Sequence, residues 1–372
     1  SQHALLTDFY QLTMVGGYIQ AGKKEQRANF DYFFRSVPNK GGYCILAGLA
    51  DLIEYIQNLN FREEDISYLR GLGIFSEDVL SYLEKFKFTG DIWAIPEGTV
   101  VFPHEPLLRV TASLPEAQFI ESALLNMMNF QTLLATKAAR IHWAAQGDPV
   151  IDFGLRRAHG PDGALMASRA AYIGGVDATS NVLAGRFFGI PVRGTHAHSW
   201  VESFPNELAA FSTYADIYPN TCLLLVDTYD TIKSGVPNAI RVGKELREKG
   251  HEILGIRLDS GDLAYLSKQA RAMLDEAGFS DAKIVASGDL DEQIILSLKR
   301  QKAKIDIWGI GTRLITSFSF PALGGVYKLK ALDEGRERMT PKIKRSDNAV
   351  KISKTGLTKL ERIYDDMGGM RG

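Results

Sequence analysis

The pattern of apolar and polar positions divides the chain into two parts with different character. In the first part, residues 28–37 have the apolar and aromatic composition of a strand, and residues 46–59 repeat apolar residues at helical spacing. Residues 90–114 are β-like but broken by proline and glycine, which predicts edge or meander strands. A long helix is predicted from about Pro115 to Gln146. This part is therefore expected to be a mixed α/β region.

From Pro149 onwards, apolar runs recur and each is followed by small and polar residues. The runs begin near residues 149, 190, 222, 252, 283 and 305, with helix-like segments between most of them. Strands that alternate with helices predict βαβ units in a parallel sheet, and runs that are apolar on both faces predict strands covered on both sides. We expect a TIM-like or incomplete (β/α) barrel, with a doubly wound open sheet as the alternative.

Polar side chains follow these runs at the points where the predicted strands end. They are Asp152, Arg156, Thr195, His196, His198, Asp227, Arg257, Asp259, Ser260, Asp262, Ser287, Asp289 and Thr312. In both architectures the carboxyl ends of parallel strands carry the chemistry. Because five or six successive strand ends carry such groups, the sequence predicts an active site at this edge of the sheet.

Composition narrows the classes of protein to consider. The 372 residues are 45% hydrophobic and 23% charged, which is ordinary for a globular protein, and the net charge of −1 gives no basic face for nucleic acid. No apolar run approaches the roughly 18 residues of a membrane span, and the N-terminus lacks a signal-peptide pattern. Cys44 and Cys222 lie in apolar runs and are expected to be buried free thiols. We expect a cytoplasmic enzyme.

Residues 193–200, "RGTHAHSW", place two histidines one position apart after an apolar run. On an extended strand, His196 and His198 point to the same face, as they do in metal-dependent barrel hydrolases. Such sites need further ligands from later strands, and the one later histidine, His251, comes just before a strand. A metal-dependent hydrolase is therefore the disfavoured alternative, and a catalytic histidine is preferred.

Two other strand ends suggest a site for phosphate and ribose. The segment "GIGT", Gly309 to Thr312, can present backbone N–H groups and a hydroxyl to an anion. The segment "RLDSGD" puts Arg257 beside Asp259 and Asp262. An arginine can take an anionic group, while carboxylates can hold ribose hydroxyls or water bound to Mg²⁺.

Seven segments, taken together and in order, resemble the nicotinate phosphoribosyltransferase family. They are "LLTDFYQLTM", "DFGLRRAHG", "GTHAHSW", "RLDSGD", "ASGDLDE", "GIGT" and "GGVYKL". The resemblance implies the irregular TIM-like α/β barrel of the type II phosphoribosyltransferases at residues 131–320. It also implies an α/β sandwich domain that is formed by residues 1–130 and by a returning segment, 321–372.

The reaction implied by the resemblance transfers phosphoribose from phosphoribosyl pyrophosphate to nicotinate, in NAD salvage. ATP is a co-substrate that phosphorylates His198, and Asp227 resembles the acid that orients this histidine. Mg²⁺ is expected to enter with pyrophosphate, with no metal held tightly by the protein alone. The family also implies a homodimer with shared active sites, in which Tyr10 comes from the neighbouring subunit.

Further site residues are carried over from the family by position. The predicted nicotinate contacts are Tyr10, Phe153, Thr195, Arg257 and Asp177. The predicted phosphoribosyl pyrophosphate contacts are Arg156, Asp259, Ser260, Gly288, Asp289, Gly309, Gly311 and Thr312.

Three alternatives accompany this interpretation. A nicotinamide phosphoribosyltransferase is the main one within the fold. A quinolinate enzyme would need more basic residues and no histidine that can be phosphorylated, so "GTHAHSW" argues against it. A non-catalytic paralogue is the third, although no motif position is visibly lost.

Overall fold

The computed structural model describes residues 4–335, 339–343, 356, 358–363 and 365–367. The chain forms two compact units, one of residues 1–136 and 322–372 and the other of residues 137–321. Part of the C-terminal segment that is predicted to return to the first domain lies outside the described residues.

The strands and helices follow the chain in this order. The strands are β1 (Arg27–Phe34), β2 (Cys44–Ile45), β3 (Asp91–Ala94), β4 (Val100–Val101), β5 (Leu108–Ser113), β6 (Val150–Asp152), β7 (Ala178–Thr179), β8 (Leu223–Leu225), β9 (Gly255–Leu258), β10 (Lys283–Ala286), β11 (Ile307–Ile310), β12 (Gly325–Leu332) and β13 (Thr340–Pro341). The α-helices are α1 (Phe9–Gln20), α2 (Leu49–Gln57), α3 (Glu63–Gly71), α4 (Glu77–Glu84), α5 (Leu114–Phe119), α6 (Glu121–Ala145), α7 (Pro161–Ile173), α8 (Val182–Phe188), α9 (His198–Glu202), α10 (Glu207–Ile217), α11 (Val236–Glu248), α12 (Leu263–Glu276), α13 (Glu292–Arg300) and α14 (Thr312–Ile315). Short 3₁₀ turns lie at Pro38–Lys40 and Leu155–Arg157, and a π-helical turn spans Thr231–Gly235.

The first unit contains a five-stranded antiparallel sheet in the order β13-β12-β1-β5-β3. Strand β5 alternates buried and partly buried residues, as a strand covered on one face does. Residues 90–114 are predicted to form edge or meander strands, and β3 is an edge strand that pairs antiparallel with β5. The predicted long helix is broken at Ile120 into α5 and α6.

The second unit contains six parallel strands in the order β7-β6-β11-β10-β9-β8. The first strand of this unit, β6, pairs with both the second, β7, and the last, β11. The strands therefore follow one another around a ring in chain order, with one gap between β7 and β8. This arrangement confirms the predicted irregular barrel, and the alternative of a doubly wound open sheet is wrong.

The gap lies where the sequence predicts a strand near residue 190. That segment forms a single parallel bridge, between Thr179 and Val192, and β7 lies at residues 178–179 instead. Across the gap, the outward N–H of Leu225 in β8 donates to Nε2 of His196 over 3.2 Å. A histidine side chain thus satisfies an edge group that a regular barrel would satisfy with a strand.

Apolar residues from the strands and helices of the second unit form its core. Trp308 of β11 is buried, and its indole Nε1 donates to the carboxylate of Asp148 over 2.9 Å. Cys222 in this unit and Cys44 in the first unit are buried and free, as predicted. Among the described residues, none of the helices combines the length and the apolar character needed to cross a lipid bilayer.

Candidate active site

A cavity of about 540 Å³ opens at the carboxyl ends of the barrel strands. Its lining residues are Phe153, Leu155, Arg156, Arg157, Ser180, Gly194, Thr195, His196, Ala197, Arg257, Asp259, Ser287, Gly288, Asp289, Gly309, Gly311 and Thr312. Ten of the predicted site residues are among them, drawn from the ends of β6, β9, β10 and β11 and from the segment before α9. Its volume is in the range of sites for small molecules.

One wall of the cavity pairs an aromatic ring with a cation. The backbone N–H of Phe153 donates to the carbonyl of Ile310 over 2.8 Å, which joins the segment after β6 to β11. A side chain at Gly309 would come within 2.5 Å of the Phe153 ring, so the glycine makes room for it. The guanidinium of Arg257 lies 5.4 Å from the ring centroid. This wall therefore offers a flat apolar face beside a positive charge.

Arg257 is held by hydrogen bonds at all three of its nitrogens. Its Nε donates to the hydroxyl of Ser287 over 2.9 Å, and Nη1 donates to that of Thr195 over 3.2 Å. Its Nη2 lies 3.4 Å from Oδ1 of Asp259. The side chain is 14% exposed. The guanidinium is thus fixed in orientation at the cavity wall.

The turn after β6 is organised by a buried carboxylate. Asp152 accepts hydrogen bonds of 2.8 Å from the backbone N–H of Gly154 and from the hydroxyls of Ser168 and Thr179. Burial raises the pKa of Asp152, and these hydrogen bonds oppose that rise. Ser168 and Thr179 were missed from sequence because they lie on α7 and β7, far from Asp152 along the chain. Together they fix the backbone that carries Phe153.

His198 begins α9 and its side chain is 39% exposed. Its Nδ1 lies 3.1 Å from the hydroxyl of Thr228, and its Nε2 lies 3.9 Å from Oδ2 of Asp259. The expected direct partner was Asp227, and the structure differs on this point. Among the described residues, no hydrogen bond joins Asp227 to His198.

Asp227 instead organises the segment after the neighbouring strand. Its Oδ2 accepts the backbone N–H of Asp259 over 2.9 Å and the hydroxyl of Ser260 over 2.6 Å. Asp227 therefore fixes the residue that faces Nε2 of His198. Thr228 was not predicted as a site residue. It directly follows Asp227 in "VDTYD", and this position next to a predicted site residue is the feature that could have identified it.

His196 has a different environment from His198. Its Nε2 accepts the N–H of Leu225, and its Nδ1 lies 3.3 Å from the carbonyl of Ala197, to which it donates. Burial, helped by the nearby charges of Arg257 and His198 and opposed by the hydrogen bond to Ala197, lowers the pKa of His196 to about 4. Both nitrogens of a neutral imidazole are thus engaged with backbone groups. His196 closes the barrel and is not arranged as a metal ligand beside His198.

Glycines shape another part of the cavity lining. Gly288 has a φ of 109°, and a side chain there would come within 2.6 Å of the carbonyl oxygen of Asp259. Gly311 precedes α14, which begins at Thr312. Asp289, which follows Gly288 and also lines the cavity, is exposed. This wall combines close-approaching backbone with a hydroxyl and a carboxylate.

Five predicted residues lie outside the cavity lining, and so does Asp262; the five are His198, Asp227, Asp177, Ser260 and Tyr10. Asp177 precedes β7, and its carboxylate accepts the N–H of Val150, at the amino-terminal edge of the sheet. Ser260 is exposed and bonded to Asp227. Asp262 caps α12 by accepting the N–H of Tyr265 over 3.0 Å, which accounts for it without a ligand.

Tyr10 lies on α1 of the first unit. Its side chain is 48% exposed, and partial burial together with Glu121 and Asp8 raises the pKa of its hydroxyl.

Across the part of the chain that the structure describes, no three His, Cys, Asp or Glu side chains gather as ligands for a metal ion.

Comparisons with known proteins match nearly the whole chain to one family. A family model described as the nicotinate phosphoribosyltransferase N-terminal domain matches residues 5–129, and one for the nicotinate phosphoribosyltransferase family matches residues 149–362. Nicotinate phosphoribosyltransferase of Bacillus subtilis is 52% identical over 362 residues, covering 97% of this chain and 73% of that protein. The enzyme of Homo sapiens is 35% identical over 395 residues, covering 90% of this chain and 73% of that protein.

Solved structures show the same relationship. The crystal structure of human nicotinic acid phosphoribosyltransferase superposes with a TM-score of 0.82 at 33% identity, covering 91% of this chain and 76% of that one. Nicotinate-nucleotide pyrophosphorylase from Pyrococcus furiosus gives a TM-score of 0.72 at 24% identity, covering 91% of this chain and 78% of that one. The second likeness concerns the fold alone.

Proposed function

Because this chain belongs to the nicotinate phosphoribosyltransferase family, we propose that it joins nicotinate to phosphoribosyl pyrophosphate. The products are nicotinate mononucleotide and pyrophosphate, and the reaction serves NAD salvage. The observation that carries the proposal is the anchored Arg257 beside the Phe153 ring, in a cavity whose other wall is built from glycine-rich strand ends.

The aromatic and cationic wall suits the pyridine substrate. Nicotinate is a flat ring with one carboxylate, so its ring stacks on Phe153 while its carboxylate meets Arg257. Since Ser287 and Thr195 hold the guanidinium, the carboxylate meets a donor that is already oriented. A carboxamide lacks the charge that Arg257 complements, which favours nicotinate over nicotinamide.

The glycine-rich wall suits phosphoribosyl pyrophosphate. Backbone N–H groups near Gly288 and Gly311, with the hydroxyl of Thr312, are donors for a phosphate. Arg156, which is exposed on the cavity lining, adds a positive charge. Asp259 and Asp289 contribute carboxylates on the same lining, and oxygen ligands of this kind fit Mg²⁺.

The transfer breaks the bond between C1 of the ribose and the pyrophosphate oxygen, and it forms a bond from C1 to the pyridine nitrogen. The reacting carbon develops oxocarbenium character, so the protein contributes by holding the ring nitrogen in line with the departing group. Asp259 and Asp289 would hold Mg²⁺ that enters with the substrate, and the ion would neutralise part of the pyrophosphate charge. Phe153 and Arg257 fix the nucleophile, and the strand ends around Gly288 and Gly311 fix the electrophile.

ATP coupling through phospho-His198 is the next part of the proposal. A lone pair of the neutral imidazole attacks the γ-phosphorus of ATP, the bond to the bridging oxygen breaks, and ADP leaves. The exposure of His198 and the Thr228 hydroxyl at Nδ1 support this role, because a proton on Nδ1 leaves the lone pair on Nε2. Asp227 acts indirectly, through the position that it gives Asp259.

Assembly and location complete the proposal. We expect a cytoplasmic homodimer in which Tyr10 of one subunit covers the pyridine in the cavity of the other. The exposure of Leu6, Phe9 and Tyr10 at the start of α1 supports a contact there. The two free, buried thiols are compatible with a reducing compartment.

A single assay tests the proposal. Purified protein is mixed with Mg²⁺, phosphoribosyl pyrophosphate and either nicotinate or nicotinamide, with and without ATP, and the mononucleotide is measured by chromatography. We expect nicotinate mononucleotide to form, with a higher yield when ATP is present. Formation of nicotinamide mononucleotide alone would assign the nicotinamide activity instead, and no mononucleotide from either pyridine would contradict the proposal.

A further inference from the structure

An ion pair outside the cavity joins two of the strand-end segments that line it. The segment after β10 carries Gly288 and Asp289, and the segment after β11 carries Gly311 and Thr312. The residue after Thr312 is Arg313, whose Nη1 donates to Oδ2 of Asp291 over 2.9 Å. Neither member of this pair is among the residues that line the cavity.

Asp291 uses its two oxygens for different purposes. Oδ1 accepts the N–H groups of Gln293 and Ile294, each over 3.0 Å, and thereby caps α13. Oδ2 takes Arg313, and the carboxylate is 12% exposed. Because the cap fixes the carboxylate relative to α13, the ion pair fixes Arg313 relative to α13 as well.

Arg313 is held from a second side. Its guanidinium lies 4.6 Å from the centroid of the Phe318 ring, and its carbonyl accepts the N–H of Phe318 over 3.1 Å. The arginine is 27% exposed, so water screens this pair less than a surface pair. A cation stacked on an aromatic ring and paired with a helix cap has few alternative positions.

We propose that Arg313 is a positioning residue, which holds the two strand-end segments in the register that the phosphate of phosphoribosyl pyrophosphate requires. This inference rests on the proposed function. The tie lies one residue from Thr312 and two residues from Asp289, so its loss moves donors on both segments. Phe153 and Arg257 place nicotinate, and neither contacts the ion pair. Because Thr195 and Asp259 also hold Arg257, nicotinate should depend on the tie less than phosphoribosyl pyrophosphate does.

The test compares Arg313→Met, Asp291→Asn and the double variant. Methionine keeps much of the arginine stem without the charge, and asparagine keeps the capping oxygen but presents an amide donor where Arg313 needs an acceptor. We expect each single change to raise the KM for phosphoribosyl pyrophosphate about tenfold, with the KM for nicotinate changed less than about twofold. The double variant should have a KM for phosphoribosyl pyrophosphate no higher than that of either single variant, because each single change already breaks the ion pair.

Two further variants complete the design. Arg313→Lys keeps a charge that can reach Asp291 and should restore part of the affinity. Arg271→Met is the matched control, since Arg271 donates to the carbonyls of Phe279 and Ala282 ahead of β10, at the opposite edge of the sheet. It should lower thermal stability without raising the KM for phosphoribosyl pyrophosphate selectively.

Three kinetic outcomes overturn the inference. If Asp291→Asn leaves the KM unchanged while Arg313→Met raises it, Arg313 touches the phosphate directly. If the two changes multiply, they act independently, and if both KM values rise equally, the pair serves stability alone. If the wild type makes no mononucleotide, the proposed function fails, and calorimetric affinity for phosphoribosyl pyrophosphate across the same variants decides on Arg313.

Discussion

The hydroxyl of Thr228 lies 3.1 Å from Nδ1 of His198, within hydrogen-bonding distance. A hydroxyl accepts as well as donates, so it accommodates a proton on Nδ1 and leaves the lone pair on Nε2. Nε2 is also the nitrogen that faces Asp259, at 3.9 Å. The imidazole thus has a hydrogen-bonding partner at Nδ1, while the carboxylate near Nε2 lies beyond hydrogen-bonding distance.

Thr228→Val should slow phosphorylation of His198 by about fivefold, since a neutral hydrogen bond is worth about 1 kcal/mol. The measurement is the rate of acid-labile ³²P incorporation from γ-labelled ATP. Thr228→Ser keeps the hydroxyl and should retain most of the rate. A valine variant that is labelled as fast as wild type would show that Thr228 does not orient the imidazole.

His198→Ala should remove the ³²P label, the ATPase activity and the gain that ATP gives to the transfer. Slow transfer without ATP should survive, because the pyridine and phosphoribosyl pyrophosphate walls remain intact. His196→Gln is the comparison, since both nitrogens of His196 are engaged with backbone groups. Loss of the label in the His196 variant, with the label kept in the His198 variant, would reverse the assignment.

The pH dependence of stability should carry a signature of His196. Burial lowers its pKa to about 4. In the unfolded chain His196 takes up a proton as the pH falls below about 6.5. In the folded protein the imidazole of His196 stays neutral until about pH 4. The unfolded state binds more protons in that window, so the free energy of unfolding should fall by up to about 3 kcal/mol as the pH drops through it.

Denaturant unfolding of wild type and of His196→Gln at several pH values between 4 and 6.5 measures this effect. The glutamine variant should have a shallower dependence on pH, whatever its absolute stability. Parallel curves for the two proteins would mean that His196 protonates alike in the folded and unfolded states.

Sequence patterns identified the parallel strands well, with one physical exception. The run near residue 190 has strand-like composition, but Pro191 has no N–H to donate and the pairing ends after Val192. The gap is then bridged by the side chain of His196, which no local pattern encodes. Strand pairing depends on partners distant in sequence, so composition alone could not locate the break.

The residues that line the cavity could be predicted from the sequence where a motif follows a strand and contributes several residues to the lining. Site residues were less predictable where a short loop both ends a strand and begins a helix. Asp262 precedes the apolar spacing of α12, which is also an N-cap signature, and the structure assigns it to the cap. Asp177 was carried over by position, yet β7 begins only at Ala178, so its carboxylate lies at the opposite end of the strand.

Arg257→Lys should weaken nicotinate binding by about tenfold or more, because hydrogen bonds to charged groups contribute about 1.5–3 kcal/mol. Lysine cannot reach Ser287 and Thr195 together while presenting a planar fork to a carboxylate. The KM for nicotinate at saturating phosphoribosyl pyrophosphate measures the effect. An unchanged KM would remove Arg257 from the nicotinate site.

Complementation between two inactive variants tests the shared active site. If Tyr10 of one subunit covers the cavity of the other, Tyr10→Ala and Arg257→Ala should each be nearly inactive alone. A hybrid dimer then contains one cavity with both native residues. Random exchange of equal amounts makes about half of the dimers hybrid, each with one intact site of two, so activity should recover to about a quarter of wild type.

The recovery is specific to residues that meet across subunits. Arg257→Ala mixed with Phe153→Ala is the matched control, since the two side chains lie together within one barrel, with the guanidinium 5.4 Å from the ring centroid. Every cavity in that mixture lacks one of the two, because each chain builds its own barrel wall, so no activity should return. Failure of the Tyr10 mixture to recover, with subunit exchange demonstrated by differently tagged chains, would show that Tyr10 does not complete the site of a partner.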